Sequence, residues 1–102
     1  MATATAQQLR IEETSQEPDA FTEMFRKVAD DLNRRYIRGT DDYVREHHLG
    51  LQRDLRQAED ELNRVWSLGR EGRANAAMFR EALSRWQRLH VRAREVFKAA
   101  RE

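Results

Sequence analysis

The 102-residue sequence contains no cysteine, one proline and four glycines. Without cysteine there are no disulfides and no thiolate nucleophile, and any zinc site would use His and carboxylates alone. The scarcity of turn residues is typical of a mostly helical chain. No run of about 18 apolar residues is present to span a membrane, and the first twenty residues lack the apolar stretch of a signal peptide. We therefore expect a cytoplasmic protein that does not contact membranes.

Charged residues are abundant and unevenly distributed. They make up 36% of the chain, against 39% hydrophobic residues, and the formal net charge is +1. Residues 1–33 hold three basic and seven acidic side chains, whereas residues 70–102 hold nine basic and four acidic ones. The two ends of the chain therefore have opposite sign, and the basic end is almost entirely arginine.

The N-terminal third predicts a tail followed by a helix. Residues 1–17 are small and polar with no sustained periodicity, which indicates a flexible tail. Pro18 suits the first position of a helix, and Gly39 is placed to end one. We predict a first helix over about 19–38, in a single helical domain spanning 18–102. Its apolar positions at helical spacing are Phe21, Met24, Phe25, Val28, Leu32 and Tyr36.

Two further helices are predicted over about 41–68 and 73–100. Thr40 is placed to cap the second helix with its hydroxyl. Gly50 costs that helix about 1 kcal/mol relative to Ala, which its apolar stripe should outweigh. Residues 69–72, which read Gly-Arg-Glu-Gly, predict the turn between the two helices. The heptad positions are Val44, His48, Leu51, Leu55, Ala58, Leu62 and Val65, then Phe79, Ala82, Trp86, Leu89, Ala93, Val96 and Ala100.

These patterns predict an all-α, three-helix protein dominated by a long antiparallel, coiled-coil-like helical hairpin. A turn centred between residues 70 and 71 places Leu55 beside Trp86 and Leu62 beside Phe79. The hairpin arms would be roughly 42 Å long and the first helix about 30 Å, so the shorter helix is expected to pack at the hairpin base. Alternatively, the first helix continues past Gly39 and pairs with a second subunit.

An uncovered hairpin tip is the predicted partner-binding site. Its apolar residues would be exposed unless another protein covers them, and an apolar patch that includes Trp usually marks an interface. The sequence thus predicts a non-enzymatic interaction or assembly protein, either a homodimer or one that binds another helical protein. In the alternative reading, Trp66 and Phe79 only seal the end of the hairpin. The predicted tip residues are Trp66, Leu68, Met78 and Phe79.

Other chemistry has weaker support in the sequence. Arg85, Arg88 and Arg92 lie on one helical ridge and could follow the phosphates of a polyanion, which makes a nucleic-acid-binding accessory protein the alternative function. His48 and His90 fall on facing helices, but no Glu-x-x-His repeat accompanies them. We therefore predict no metal site and no cofactor. No nucleophile–base pair or phosphate-binding loop is present, so no catalytic residue is assigned.

Overall fold

The computed structural model describes residues 12–102, with side chains from residue 20 onward. Within this range the regular structure is entirely α-helical, which confirms the all-α prediction, but there are four helices where three were expected. None of the helices in the described range is long and apolar enough to cross a membrane. The helices are α1 (Glu12–Arg34), α2 (Thr40–His47), α3 (Leu49–Arg70) and α4 (Ala76–Arg101).

Helix α1 extends further toward the N-terminus than the periodicity predicts. Residues 12–17, expected in the tail, are helical, while the rest of the predicted tail, 1–11, lies outside the described residues. Pro18 therefore lies within α1 rather than at its first position. At the other end the helix stops at Arg34, and the Tyr36 N–H donates to the Asn33 carbonyl at 3.3 Å.

The predicted second helix is interrupted at His48. This residue has φ −136° and ψ 70°, outside the helical region, and it ends α2 and precedes α3. Backbone hydrogen bonds continue on both sides, from the His48 N–H to Val44 and from the Gln52 N–H to His48. The break lies two residues before Gly50, so the apolar stripe does not hold the helix continuous here. It allows α2 to pack on α4, where Tyr43 lies 5.5 Å from Phe97 between ring centroids.

The start of α2 also differs from the sequence expectation. Thr40 is the first helical residue rather than the capping residue, and its Oγ1 donates to the Ile37 carbonyl at 2.6 Å instead of accepting from a later N–H. Gly39 precedes it with φ +98°, in the left-handed region that favours glycine. A side chain at Gly39 would also meet the Phe97 ring, at 3.1 Å from the nearest carbon.

The connection between α3 and α4 covers residues 71–75. The Arg73 N–H donates to the Leu68 carbonyl at 2.8 Å and the Gly72 N–H to the Gly69 carbonyl at 3.0 Å. With Gly72 at φ +76°, this is a Schellman motif, which satisfies the last carbonyls of α3. Asn75 then caps α4, since its side chain accepts from the Met78 N–H at 3.0 Å. The sequence located this turn but placed the start of α4 three residues too early.

Helices α3 and α4 pack side by side in opposite directions. Near the connection, Trp66 and Phe79 lie 5.6 Å apart between ring centroids, while Leu51 near the start of α3 lines a groove with Val96 near the end of α4. Because the loop is centred about Arg73, the residues that face α3 come later on α4 than predicted. Leu55 accordingly lines a cleft with His90, one turn beyond the expected Trp86.

The prediction that the first helix leaves the hairpin tip uncovered is wrong. Phe21 of α1 stacks on Phe79 with ring centroids 4.4 Å apart and planes 2° apart, and both side chains are fully buried. Phe21 also packs over Gly69, the last glycine of α3. The segment 35–39, which is not helical, leaves the C-terminal end of α1 beside the middle of α4, so that Phe21 near its start reaches the tip. The buried core is Phe21, Ala58, Leu62, Val65, Ala74, Phe79, Ala82, Leu83 and Trp86.

Candidate interaction surface

The four predicted tip residues do not form one exposed patch. Phe79 is fully buried, and Leu68 is partly buried against the core. Trp66 is half-buried because Phe25 of α1 packs edge-on against it, 6.0 Å between centroids. Met78 is exposed and lines a groove to which none of the described side chains of α1 contributes. The tip residues are therefore divided between the side of the α3–α4 pair that α1 covers and the side that it leaves open.

The open side of the α3–α4 pair carries an apolar strip. Two grooves follow one another along it, and their α4 residues recur at three- and four-residue spacing, so they share one helical face. Val65 and Ala82 form a buried floor near the connection, and Leu51, Leu89 and Val96 are partly exposed toward the other end. We call this surface the α3–α4 face. Its lining residues are His48, Gly50, Leu51, Asp54, Glu61 and Val65, with Met78, Glu81, Ala82, Arg85, Arg88, Leu89, Arg92 and Val96.

Charges of opposite sign flank this strip on the two helices. Helix α3 contributes the carboxylates of Asp54 and Glu61. A hydrogen bond from Arg64 at 2.8 Å is the main cause that lowers the pKa of Glu61, and Arg85 across the groove adds to it. The Glu61 carboxylate therefore stays ionised. The α3 rim of the face thus carries two carboxylates, of which Glu61 is already ion-paired with Arg64.

Helix α4 contributes the arginine ridge that the sequence predicted. Arg85 is partly buried, whereas Arg88 and Arg92 are exposed and form no ion pair within the described part of the chain. Glu81 is the single carboxylate that α4 adds to the face. Solvated arginines without a partner are available to an anionic group on another molecule.

The two candidate histidines occupy different environments. His48 lies beside Tyr43, 5.3 Å between ring centroids, and lines the α3–α4 face. His90 packs edge-on against Trp86 at 4.8 Å and lines clefts on either side of α2's Asp41. Among the residues that the structure describes, no three His, Asp or Glu side chains cluster closely enough to hold a metal ion.

A separate cleft lies where α1 and α2 meet the middle of α4. Its volume is about 170 Å³. Trp86, which is 9% exposed, stacks on Phe25 at 5.4 Å and lines this cleft, and its buried Nε1–H has no acceptor in the described structure. Arg94, with a side chain only 16% exposed, lines it as well. The other lining residues are Ala29, Leu32, Asn33, Tyr36, Thr40, Asp41 and His90.

Arg94 was not predicted as a site residue. Its spacing could have grouped it with the other two residues, because Trp86, His90 and Arg94 follow one another at intervals of four and so lie along one side of α4. Their common environment depended on the position of α1, which the periodicity did not supply.

Comparison with protein families, with curated proteins and with solved structures finds no significant match.

Proposed function

We propose that this chain is a non-enzymatic assembly protein that pairs with a second copy of itself through the α3–α4 face. The observation that carries the proposal is the apolar strip on that face, to which no described side chain of α1 contributes and which has carboxylates along α3 and arginines along α4. A surface of this kind is complementary to itself, as the interface of a symmetric dimer must be.

Charge complementarity selects one arrangement of the two copies. When the two-fold axis runs parallel to the helices, α3 of each copy lies over α4 of the other, at the same height along the axis. Asp54 and Arg92 line the same groove, and Glu61 and Arg85 line the next one. The two members of each pair therefore lie at the same height along the helix axes. In this arrangement each carboxylate therefore faces an arginine of the other copy. An axis perpendicular to the helices would instead place like rims opposite each other.

The dimensions of the face indicate a moderate affinity. It runs about 30 Å along the helices and about 20 Å across them, a footprint on the order of 600 Å² per copy. Stable dimers of ordinary size bury about 800 Å² per partner, so this dimer belongs at the smaller end of the range. We expect dissociation in the micromolar range, which sedimentation equilibrium between about 1 and 200 µM would resolve.

A charge-reversal pair tests both the surface and the arrangement. Arg92→Glu alone and Asp54→Arg alone each place like charges opposite each other in both symmetric contacts, and we expect about tenfold weaker dimerisation from each. The double variant Asp54→Arg/Arg92→Glu exchanges the two charges, and we expect it to recover most of the affinity. Net charge alone would not explain weakening in both single variants, because Arg92→Glu changes the formal charge from +1 to −1 and so leaves its magnitude unchanged.

The matched control is Arg53→Glu. Arg53 is exposed on α3 next to Asp54 but does not line the face, since consecutive helical residues point about 100° apart. Its reversal should leave the dimer unchanged.

Trp66→Ala tests the sequence-based prediction of a contact through the tip. If Trp66→Ala weakens the dimer and Arg92→Glu has no effect, the interface lies on the α1 side instead. A strict monomer at about 200 µM would contradict self-association altogether.

A nucleic-acid-binding accessory protein is the second candidate, because Arg88 and Arg92 are exposed and without ion pairs in the described structure. The nearby carboxylates of Asp54, Glu61 and Glu81 oppose it, since they repel phosphates. Binding of a labelled oligonucleotide, measured by fluorescence polarisation across a salt series, tests it. This function would require an affinity that falls steeply with salt and an Arg88→Gln variant that binds more weakly.

A further inference from the structure

Two hydrogen-bond donors in the cleft between α1, α2 and α4 lack adequate acceptors. The indole N–H of Trp86 is buried and unpaired among the described residues. A buried donor without a partner is unusual in a folded protein and calls for an explanation, of which a group bound beside it is one. The donor lies on a side chain that is otherwise firmly held, between Phe25 and His90. Its position is therefore fixed by packing, although its hydrogen bond is not made.

The second donor is the guanidinium of Arg94. Its side chain is 16% exposed, yet its ion pair in the described structure is a 3.8 Å contact with the adjacent residue, Glu95, which is itself 56% exposed. Buried cations are normally paired closely with an anion or with several acceptors. The Arg94 guanidinium thus lines the cleft without a close countercharge among the described residues.

We infer that this cleft binds a small molecule with a flat apolar body and one carboxylate, whose oxygens accept from Arg94 and from the Trp86 indole N–H. The apolar body is accommodated by Ala29 and Leu32, which line the cleft from α1. A cavity of about 170 Å³ is close to the size that holds a benzene ring. Tyr36 and Asn33 add polar groups at the same cleft.

The charges around the cleft favour a single negative charge on the ligand. Among the described residues that line it, Arg94 is the one permanent cation, and Asp41 on α2 is exposed and contributes a negative charge. His90 adds little positive charge at neutral pH, because burial lowers its pKa against the opposing effect of Asp41 and Glu59. A doubly charged phosphate would meet repulsion from Asp41 with only one arginine to balance it. A monocarboxylate matches the single guanidinium.

Sodium benzoate is the test ligand, with benzylamine and benzyl alcohol as matched controls that keep the ring and change the charge. The readout is the indole N–H resonance of Trp86 in the full-length, isotope-labelled protein, assigned with Trp66→Phe because the chain has two tryptophans. We expect benzoate to shift this resonance saturably with a Kd of about 1 mM, as suits a ligand of that size. Benzylamine and benzyl alcohol should bind at least about tenfold more weakly.

Two variants assign the contacts. Arg94→Gln should weaken benzoate binding about tenfold or more, because a hydrogen bond from a charged donor is replaced by one from a neutral amide. Trp86→Phe keeps a smaller aromatic ring and removes the N–H, and it should weaken binding by a smaller factor, followed through the backbone resonances of Asn33 and His90. Arg92→Gln, on the α3–α4 face, should have no effect.

Three results would overturn the assignment: no saturable shift of the Trp86 resonance, equal binding of benzoate and benzylamine, or unchanged benzoate affinity in Arg94→Gln. The comparison between the three ligands uses the unsubstituted protein, so it decides the question even if a variant fails to fold. It is also independent of self-association, since the cleft shares no residue with the α3–α4 face.

Discussion

Replacing Gly69 with Ala tests whether α1 covers the end of the α3–α4 pair. Gly69 is helical, and a β-carbon built there would lie 2.1 Å from Cε2 of Phe21 and 2.9 Å from its Cζ. Ordinary carbon contacts are about 3.5–4.0 Å, so the Phe21 ring would have to move by about 1.5 Å. The ring is fully buried and stacked on Phe79, which leaves no space for that movement.

The magnitude follows from two opposing effects. Gly→Ala in a helix stabilises by up to about 1 kcal/mol through backbone propensity. Against this, complete loss of the packing of a buried Phe costs about 3–5 kcal/mol, and overpacking a core typically costs about 1–3 kcal/mol. We therefore expect Gly69→Ala to lower the free energy of unfolding by about 2–3 kcal/mol, and the melting temperature by on the order of 10 °C.

Gly50→Ala is the matched control. It is the same substitution in the same helix, but a β-carbon at Gly50 meets nothing within 4 Å. It should stabilise the protein by up to about 1 kcal/mol. Urea denaturation followed by circular dichroism at one fixed protein concentration measures both variants, since self-association makes stability depend on concentration.

A double-mutant cycle identifies the clash. In a Phe21→Ala background the ring is absent, so Gly69→Ala should no longer destabilise and should behave like Gly50→Ala. A Gly69→Ala variant that is as stable as Gly50→Ala would contradict the packing of Phe21 over Gly69. That result would mean that α1 lies elsewhere.

Two further predictions concern local stability and pH. Asn75→Ala removes the hydrogen bond that the side chain accepts from the Met78 N–H and should lower the unfolding free energy by about 1 kcal/mol in urea denaturation, whereas Asn75→Asp keeps an acceptor and should not. Burial lowers the pKa of His90 below its ordinary value of 6.5, although Asp41 and Glu59 oppose the shift. The unfolded chain then binds more protons than the folded one just below pH 6.5, so stability is fully present above that value and falls as the pH decreases. In His90→Gln the difference in unfolding free energy between pH 7.5 and 5.5 should shrink relative to the unsubstituted protein, and an unchanged difference would exclude His90 as its source.

The sequence was sufficient for features that depend on neighbouring residues. Helical periodicity identified the all-α class, because each apolar stripe records which side of a helix is buried. Glycines marked the turn between α3 and α4, since the left-handed conformation at Gly72 is accessible to glycine at little cost. The predicted positions of the helix termini were less accurate. The residues at the end of a helix are held by few hydrogen bonds, so small energetic contributions decide where the helix ends.

The break at His48 could not be predicted from neighbouring residues in the sequence. The heptad stripe favoured one continuous helix, and the cost of Gly50 alone was too small to predict an interruption. In the structure the break frees α2 to turn against α4, where Tyr43 contacts Phe97 and Val44 becomes buried. The gain comes from contacts with a helix some fifty residues later, which no local pattern contains.

The position of α1 was decided by tertiary structure alone, and with it the candidate sites. The periodicity correctly gave Phe21 and Phe25 as apolar positions of the first helix, but an apolar stripe does not specify which helix it packs against. Stacking of Phe21 on Phe79 closes the tip that the sequence left open. The same placement leaves the α3–α4 face without a lining residue from the part of α1 whose side chains are described, and it brings the end of α1 beside Trp86, which forms the cleft. Which apolar surfaces meet depends on the joint packing of all four helices, and that is a property of the whole fold rather than of any segment.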